Sequence, residues 1–131
     1  LFNFFFFFFF FQAEDGLRDA QESRGLGYVY NSQLMTNALK YTPPKGNVTT
    51  RLCHDNDSYT ISVADTGKGL SDNDRQHIFE RFYQAADAVG GTGIGLAIVK
   101  AYVDLHHGQV GVESQQGKGS TFSFTIPDSQ P

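Results

Sequence analysis

A second cysteine is missing from this chain. The single Cys53 excludes an internal disulfide and fits a reducing compartment. Set in an alternating stretch, it reads as a small buried apolar side chain of a strand. No block of basic residues is present either. The net charge is -4 over 131 residues, which argues against a nucleic-acid surface and leaves a small molecule or a protein as the partner. There is also no hydrophobic run long enough to cross a bilayer as a helix. The tract Phe4 to Phe11 falls well short of the roughly 20 residues such a span needs. It lacks the basic flank and small-residue cleavage site of a signal peptide, so no direct membrane contact is expected of this chain. The length suits one domain with a modest core.

Periodicity is absent from the first thirty residues. Nine of the 13 phenylalanines lie in the first eleven positions, and a uniform Phe tract has neither a period of two nor one of 3.6, so it specifies no buried face. The stretch Gln12 to Tyr30 is polar and irregular. Residues 1–30 read as the translation of a sequencing adapter joined to a gene fragment, a non-native and poorly packed leader. The competing reading is a hydrophobic anchor followed by a linker. The domain is expected over 31–127, with 128–131 as a tail.

From Asn31 the pattern becomes orderly. Leu34, Met35, Ala38 and Leu39 recur at helical spacing, opposite Gln33, Asn37 and Lys40, which predicts a helix over 31–41. Thr42-Pro43-Pro44 ends it. Val48, Thr50 and Leu52, then Tyr59, Ile61 and Val63, alternate as two strands around the turn residues Asp55-Asn56-Asp57. Ser71 caps a short helix with Asp72 and Asp74 in its first turn, followed by an apolar anchor of Ile78, Phe79 and Phe82. Residues 83–92 read as a flexible loop. A helix from Ile94 to about His106 carries apolar residues on several sides (among them Leu96, Ile98, Val99 and Leu105) and is expected to be buried. Val110 and Val112, then Phe122, Phe124 and Ile126, make two more strands about a turn at Gly117 and Gly119. Helix, two strands, helix, two strands predicts an α+β fold, a two-layer sandwich with a mixed, mostly antiparallel sheet packed on helices.

Three places carry chemistry. The neutral amide of Asn37 suits Mg2+, which takes few protein ligands and prefers phosphate oxygens and water. Lys40, one turn on, sets an ammonium beside the phosphates, and Tyr41 offers a flat ring; the plain alternative is a solvated helix face. Asp65 ends a strand just before Gly67 and Gly69. An ionised carboxylate only accepts hydrogen bonds, so it can take one from the exocyclic amine of adenine, whereas guanine presents an oxygen there. The glycines allow positive φ and close approach, although an ordinary Asp-Thr-Gly turn would look the same. Gly91-Thr92-Gly93-Ile94-Gly95 precedes a helix whose N-terminal N–H groups attract phosphate. It is neither a Walker A sequence nor a dinucleotide fingerprint, and a glycine hinge is its alternative.

The order of four motifs decides between these readings. Asn37-Ala38-Leu39-Lys40-Tyr41, Asp65-Thr66-Gly67-Lys68-Gly69, Phe79-Glu80-Arg81-Phe82 and Gly91-Thr92-Gly93-Ile94-Gly95-Leu96 follow one another within about sixty residues. In that order they resemble the N, G1, F and G2 boxes of the histidine-kinase ATP-binding domain (the Bergerat fold), over roughly Asn31 to Pro127. The resemblance implies ATP and Mg2+ as ligands. It places Mg2+ on Asn37, the phosphates on Lys40, the base against Tyr41 and the adenine amine on Asp65. It adds Gly67, Gly69, Phe82, Tyr83, Gly91, Thr92, Gly93, Ile94, Gly95 and Leu96 to the nucleotide site, makes 83–90 a mobile lid, and gives Ser120 or Thr121 a part on the adenine side. It implies a cytoplasmic domain of a two-component sensor or hybrid kinase, with the anchoring of the parent left open. The partners it implies are a histidine-bearing dimerisation domain and, through it, a response regulator.

Departures from the family pattern narrow the activity. Gln33 stands four residues before Asn37, where the related gyrase-type ATPases have a catalytic Glu. Gln cannot ionise and cannot serve as a general base for water, so a domain that holds ATP is favoured over one that hydrolyses it. Gln84 stands where many sensor kinases have Arg. The family's first strand and the start of the Asn37 helix are unmatched, so the domain is expected to be N-terminally truncated. None of His54, His77, His106 and His107 lies in a His-Glu-Leu/Phe helix; the phosphoacceptor, and with it any catalytic residue, is absent. His106 and His107 read as capping at a helix C-terminus. A gyrase-type ATPase and an inert fragment unable to bind nucleotide are the alternatives.

Overall fold

The computed structural model describes residues 33–55, 57–85, 88 and 90–128. The leader expected over 1–30, the start of the first helix, Asn56, part of the lid and the last three residues lie outside the described residues.

Helix α1 covers 33–41. It ends where the Thr42 hydroxyl donates back to the Ala38 carbonyl at 2.6 Å, immediately before Pro43 and Pro44. Strands β1 (Val48–Asp55) and β2 (Ser58–Asp65) form the expected hairpin. Helix α2 (Asp72–His77) starts at Ser71, whose hydroxyl accepts from the Asp74 backbone N–H; this leaves one fewer orphan donor at the helix start. Helix α3 (Gly95–Leu105) leads into β3 (Gln109–Gln115) and β4 (Gly119–Pro127).

The four strands make one sheet in the order β1-β2-β4-β3, and every pairing is antiparallel. The fold is therefore α+β with an antiparallel sheet; no parallel pair occurs among the described strands. Alternation aims one set of side chains at the helices. Val63 from β2 and Phe124 from β4 meet Leu34 and Ala38 of α1 and Val99, Tyr102 and Val103 of α3 in one buried core. Helices α1 and α3 thus form a single layer on one face of the sheet.

Three expectations are corrected. Cys53 is exposed. In β1 the residues Val48, Thr50 and Leu52 turn inward and Thr49, Arg51 and Cys53 outward, and β1 is the edge strand among the described strands. Helix α3 is buried along one stripe only: Ile98 is 45% and Leu105 77% exposed, because no described element covers its outer side. Phe82 takes no part in the apolar anchor and is 67% exposed. Phe79 supplies that anchor, edge-on to Phe122 with ring centroids 6.2 Å apart.

Candidate functional site

A cleft of about 270 Å³ opens between α1, the end of β2 and the loop that precedes α3, near the lower end of the range for small-molecule sites. Helix α1 lends its polar face. Asn37 and Lys40 lie on the cleft wall together with Gln33 and Thr36, because the opposite stripe of Leu34 and Ala38 is held in the core. The Gln33 amide donates to Asn37 Oδ1 at 3.3 Å. Lys40 Nζ reaches across to the Gly90 carbonyl at 3.2 Å, so an ammonium from α1 already bridges to the loop on the far side.

The opposite end of the cleft is built on the sheet. Asp65 closes β2 and pairs with Ser120 of β4; both line the cleft. Burial pushes the Asp65 carboxyl above the ordinary carboxylate range, partly offset by backbone N–H groups of Gly67 and Ser120 that stabilise the charge. The Gly67 bond, 2.9 Å long, needs a residue without Cβ, since a Cβ there would lie 2.4 Å from the Tyr41 carbonyl oxygen. The Tyr41 ring carries two ammonium groups nearby, Lys68 Nζ at 4.8 Å and Lys40 Nζ at 5.4 Å from its centroid, within cation–π range.

The third wall is the glycine segment before α3. Gly91, Thr92, Gly93, Gly95 and Leu96 line the cleft, and α3 begins without a side-chain cap. Its first backbone N–H groups are therefore not claimed by a side chain and can serve an anion. At Gly93 φ is +72°, and a Cβ would meet the Phe82 and Tyr83 backbones within 3 Å. The Phe82 N–H donates to the Gly93 carbonyl at 2.8 Å, which ties the start of the loop to its end.

The cleft gathers Asn37, Lys40, Tyr41, Asp65, Gly69, Tyr83 and Ser120 with that glycine segment. Gly67, Phe82, Ile94 and Thr121 do not line it. Gly67 and Phe82 shape its backbone from outside. Thr121, one residue from Ser120, lies on the other face of β4 by strand alternation. Tyr83 lines the cleft, but its hydroxyl is committed to Asp74 Oδ1 at 2.6 Å, and that carboxylate, with burial, pushes the phenol upward. Lys68, Gln84 and Phe122 also line the cleft. Lys68 carried a signal, being the only charged residue between the two glycines of its motif; Phe122 carried none, since its place depends on pairing across the sheet. Among the described residues no three of His, Cys, Asp and Glu converge, so a metal held here would bring most of its ligands with it. A neutral amide oxygen on the same cleft as an uncapped helix start fits Mg2+ on those terms.

A family model described as "Histidine kinase-, DNA gyrase B-, and HSP90-like ATPase" matches residues 30–130. The chain belongs to that family. Within it the similarity of this ATP-binding domain runs to the sensor kinases. It is 39% identical over 99 residues to the circadian input-output histidine kinase CikA of Synechococcus elongatus, an alignment covering 72% of this chain and 13% of that kinase. The mycobacterial sensor histidine kinase MprB superposes with a TM-score of 0.72 at 34% identity, over 80% of this chain and 73% of that one. Full-length ShkA, solved in complex with AMPPNP, superposes with a TM-score of 0.69 at 35% identity, over 79% of this chain and 21% of that one. The chain thus spans a small part of the curated relatives it matches, 11–25% for TmoS and IrlS. No helix among the described residues is long and apolar enough to cross a membrane.

Proposed function

We propose that this domain holds Mg-ATP for a sensor histidine kinase and presents its γ-phosphoryl to a histidine on a separate dimerisation domain, from which a response regulator receives it. The observation that carries the reading is the convergence of Asn37 and Asp65 on one cleft, with Lys40 and the uncapped start of α3 between them. Asp65 takes the adenine amine, Tyr41 flanks the base, and Lys40 and the α3 N-terminus take the phosphates. Asn37 is the residue that would hold Mg2+, whose contribution when bound is to neutralise phosphate charge. The work of the chain is positioning and charge neutralisation, as is usual for phosphoryl transfer. Gln33 lies beside Asn37 and cannot ionise, which favours holding ATP over hydrolysing it. The domain is assigned to 31–127, following a leader over 1–30 and preceding a tail over 128–131, and to the cytoplasm.

Two measurements test this. Millimolar Mg-ATP should raise the melting midpoint, because a ligand that binds only the folded state stabilises it; an unmoved midpoint would sink the reading. Radiolabelled ATP should leave no label on the isolated chain, whose histidines lie in none of the expected acceptor contexts. Label appearing on it would contradict the assignment of the acceptor to another domain.

A further inference from the structure

One row of the sheet crosses the base end of the cleft. Asp65, Ser120 and Ser114 are successive partners across β2, β4 and β3, so their side chains share a face. Ser120 is buried and lines the cleft. Ser114 sits behind it with three polar contacts. Its oxygen accepts from the Leu70 backbone N–H at 2.7 Å, its hydroxyl donates to the Gly119 carbonyl at 3.0 Å, and it lies 2.8 Å from the Ser120 hydroxyl.

Requiring all three contacts to be hydrogen bonds at once sets the direction of that last bond. A serine hydroxyl has one proton and two lone pairs. The carbonyl of Gly119 can only accept, so its contact is a hydrogen bond only when the Ser114 proton points to it. The Leu70 N–H occupies one Ser114 lone pair. The remaining lone pair can only accept, and the proton in the Ser114–Ser120 bond therefore belongs to Ser120. With its proton turned back toward Ser114, Ser120 has only lone pairs left to offer the cleft. Beside it the ionised Asp65 is also acceptor-only.

We infer that Ser114 is a positioning residue that sets the base preference of the site: by taking the Ser120 proton it leaves the Asp65–Ser120 pair at the base end of the cleft with acceptors only, matched to a purine amine and mismatched to a purine carbonyl. This rests on the nucleotide reading above and extends it to a residue that touches no nucleotide. A merely structural Ser114 would weaken all nucleotides alike when lost. A polarity-setting Ser114 changes their ratio. Without it the Ser120 hydroxyl is free to turn and donate into the cleft, where a guanine oxygen would welcome it.

The test is calorimetric titration of the full chain with Mg-ATP and Mg-GTP. The wild type should prefer Mg-ATP. Ser114→Ala should reduce the ATP-to-GTP affinity ratio at least fivefold, and Ser114→Thr, which keeps the hydroxyl, should retain it. Where Ser114→Ala fails to fold, Ser120→Ala removes the same acceptor from the cleft and should lower the ratio likewise. An unchanged ratio in a folded Ser114→Ala chain, or in Ser120→Ala where that chain is the one that folds, overturns the inference while leaving the nucleotide reading intact. A wild-type chain that binds no Mg-ATP overturns both.

Discussion

Under the proposed function, Asp65 serves binding at the expense of stability. Burial raises its pKa, so the folded state holds this proton more tightly than the unfolded chain does. The stabilisation linked to that proton is fully present below the unfolded value and is lost as pH rises through the raised folded value. At neutral pH the ionised group is carried at a cost. Asp65→Asn removes the charge and keeps an oxygen for the Gly67 N–H. Its melting midpoint without ligand should equal or exceed that of the wild type at pH 7 by calorimetry. Binding should move the other way. A hydrogen bond to a charged group is worth about 1.5–3 kcal/mol, so Mg-ATP affinity should fall roughly 10- to 100-fold. Wild-type affinity should also decline on acidification through the raised range of Asp65, and Asp65→Asn should flatten that decline; a parallel decline in both proteins would assign the titration elsewhere. That Asp65 and Asn37 lie on one cleft was legible from the order of the motifs. The burial expected of Cys53 fails by parity: Val48, Thr50 and Leu52 define the inward set, and an odd-numbered neighbour must face outward.

At the level of elements, the end of α3 departs most clearly from the usual choice of residue. The Gly108 N–H donates to the Val103 carbonyl at 2.9 Å and the His107 N–H to Asp104 at 3.0 Å, which is the Schellman pattern. The residue at its left-handed position is His107, with φ of 58°, where glycine is usual. An L-residue there costs about 1–2 kcal/mol. Glycine loses about 0.4–1 kcal/mol through the unfolded chain. His107→Gly should therefore stabilise the domain by roughly 0.5–1 kcal/mol in urea titration, since the imidazole is exposed and loses no packing. A destabilised variant would mean that the ring makes an interaction worth more than the strain. The end of α3 just before Gly108 was readable from the sequence, as were α2 and its Ser71 cap, but the capping comes from backbone N–H groups where the expectation rested on the imidazoles. The one-sided burial of α3 was not. Apolar residues at Ile98 and Leu105 suggest burial all round, and only the number of layers above the helix decides whether they are covered.

Across the whole molecule, the sheet order β1-β2-β4-β3 brings the two ends of the domain together. Alternation revealed four strands but not that β2 lies between β1 and β4, because strand pairing depends on contacts far apart in the chain. That pairing puts Asp65 next to Ser120, and the same face, two rungs further along, carries Phe122 and then Phe124. Phe124 is buried among residues from α1, β2 and α3, so the core that holds the layers together also supports the floor of the cleft. Phe124→Ala should cost about 3–5 kcal/mol, a large share of the roughly 5–15 kcal/mol that a domain of this size possesses. Ligand linkage turns this into a test of whether site and core form one cooperative unit. At a hundredfold excess over its Kd, a ligand specific for the folded state adds about 2.7 kcal/mol, and at a thousandfold about 4.1 kcal/mol. Saturating Mg-ATP should then restore most of the urea midpoint lost by Phe124→Ala, with the same denaturant slope as the wild type. A variant that stays half-unfolded despite saturated nucleotide would show that the cleft closes on α1 and the glycine loop without requiring the sheet beneath them. In that case Asp65 could not be holding the base.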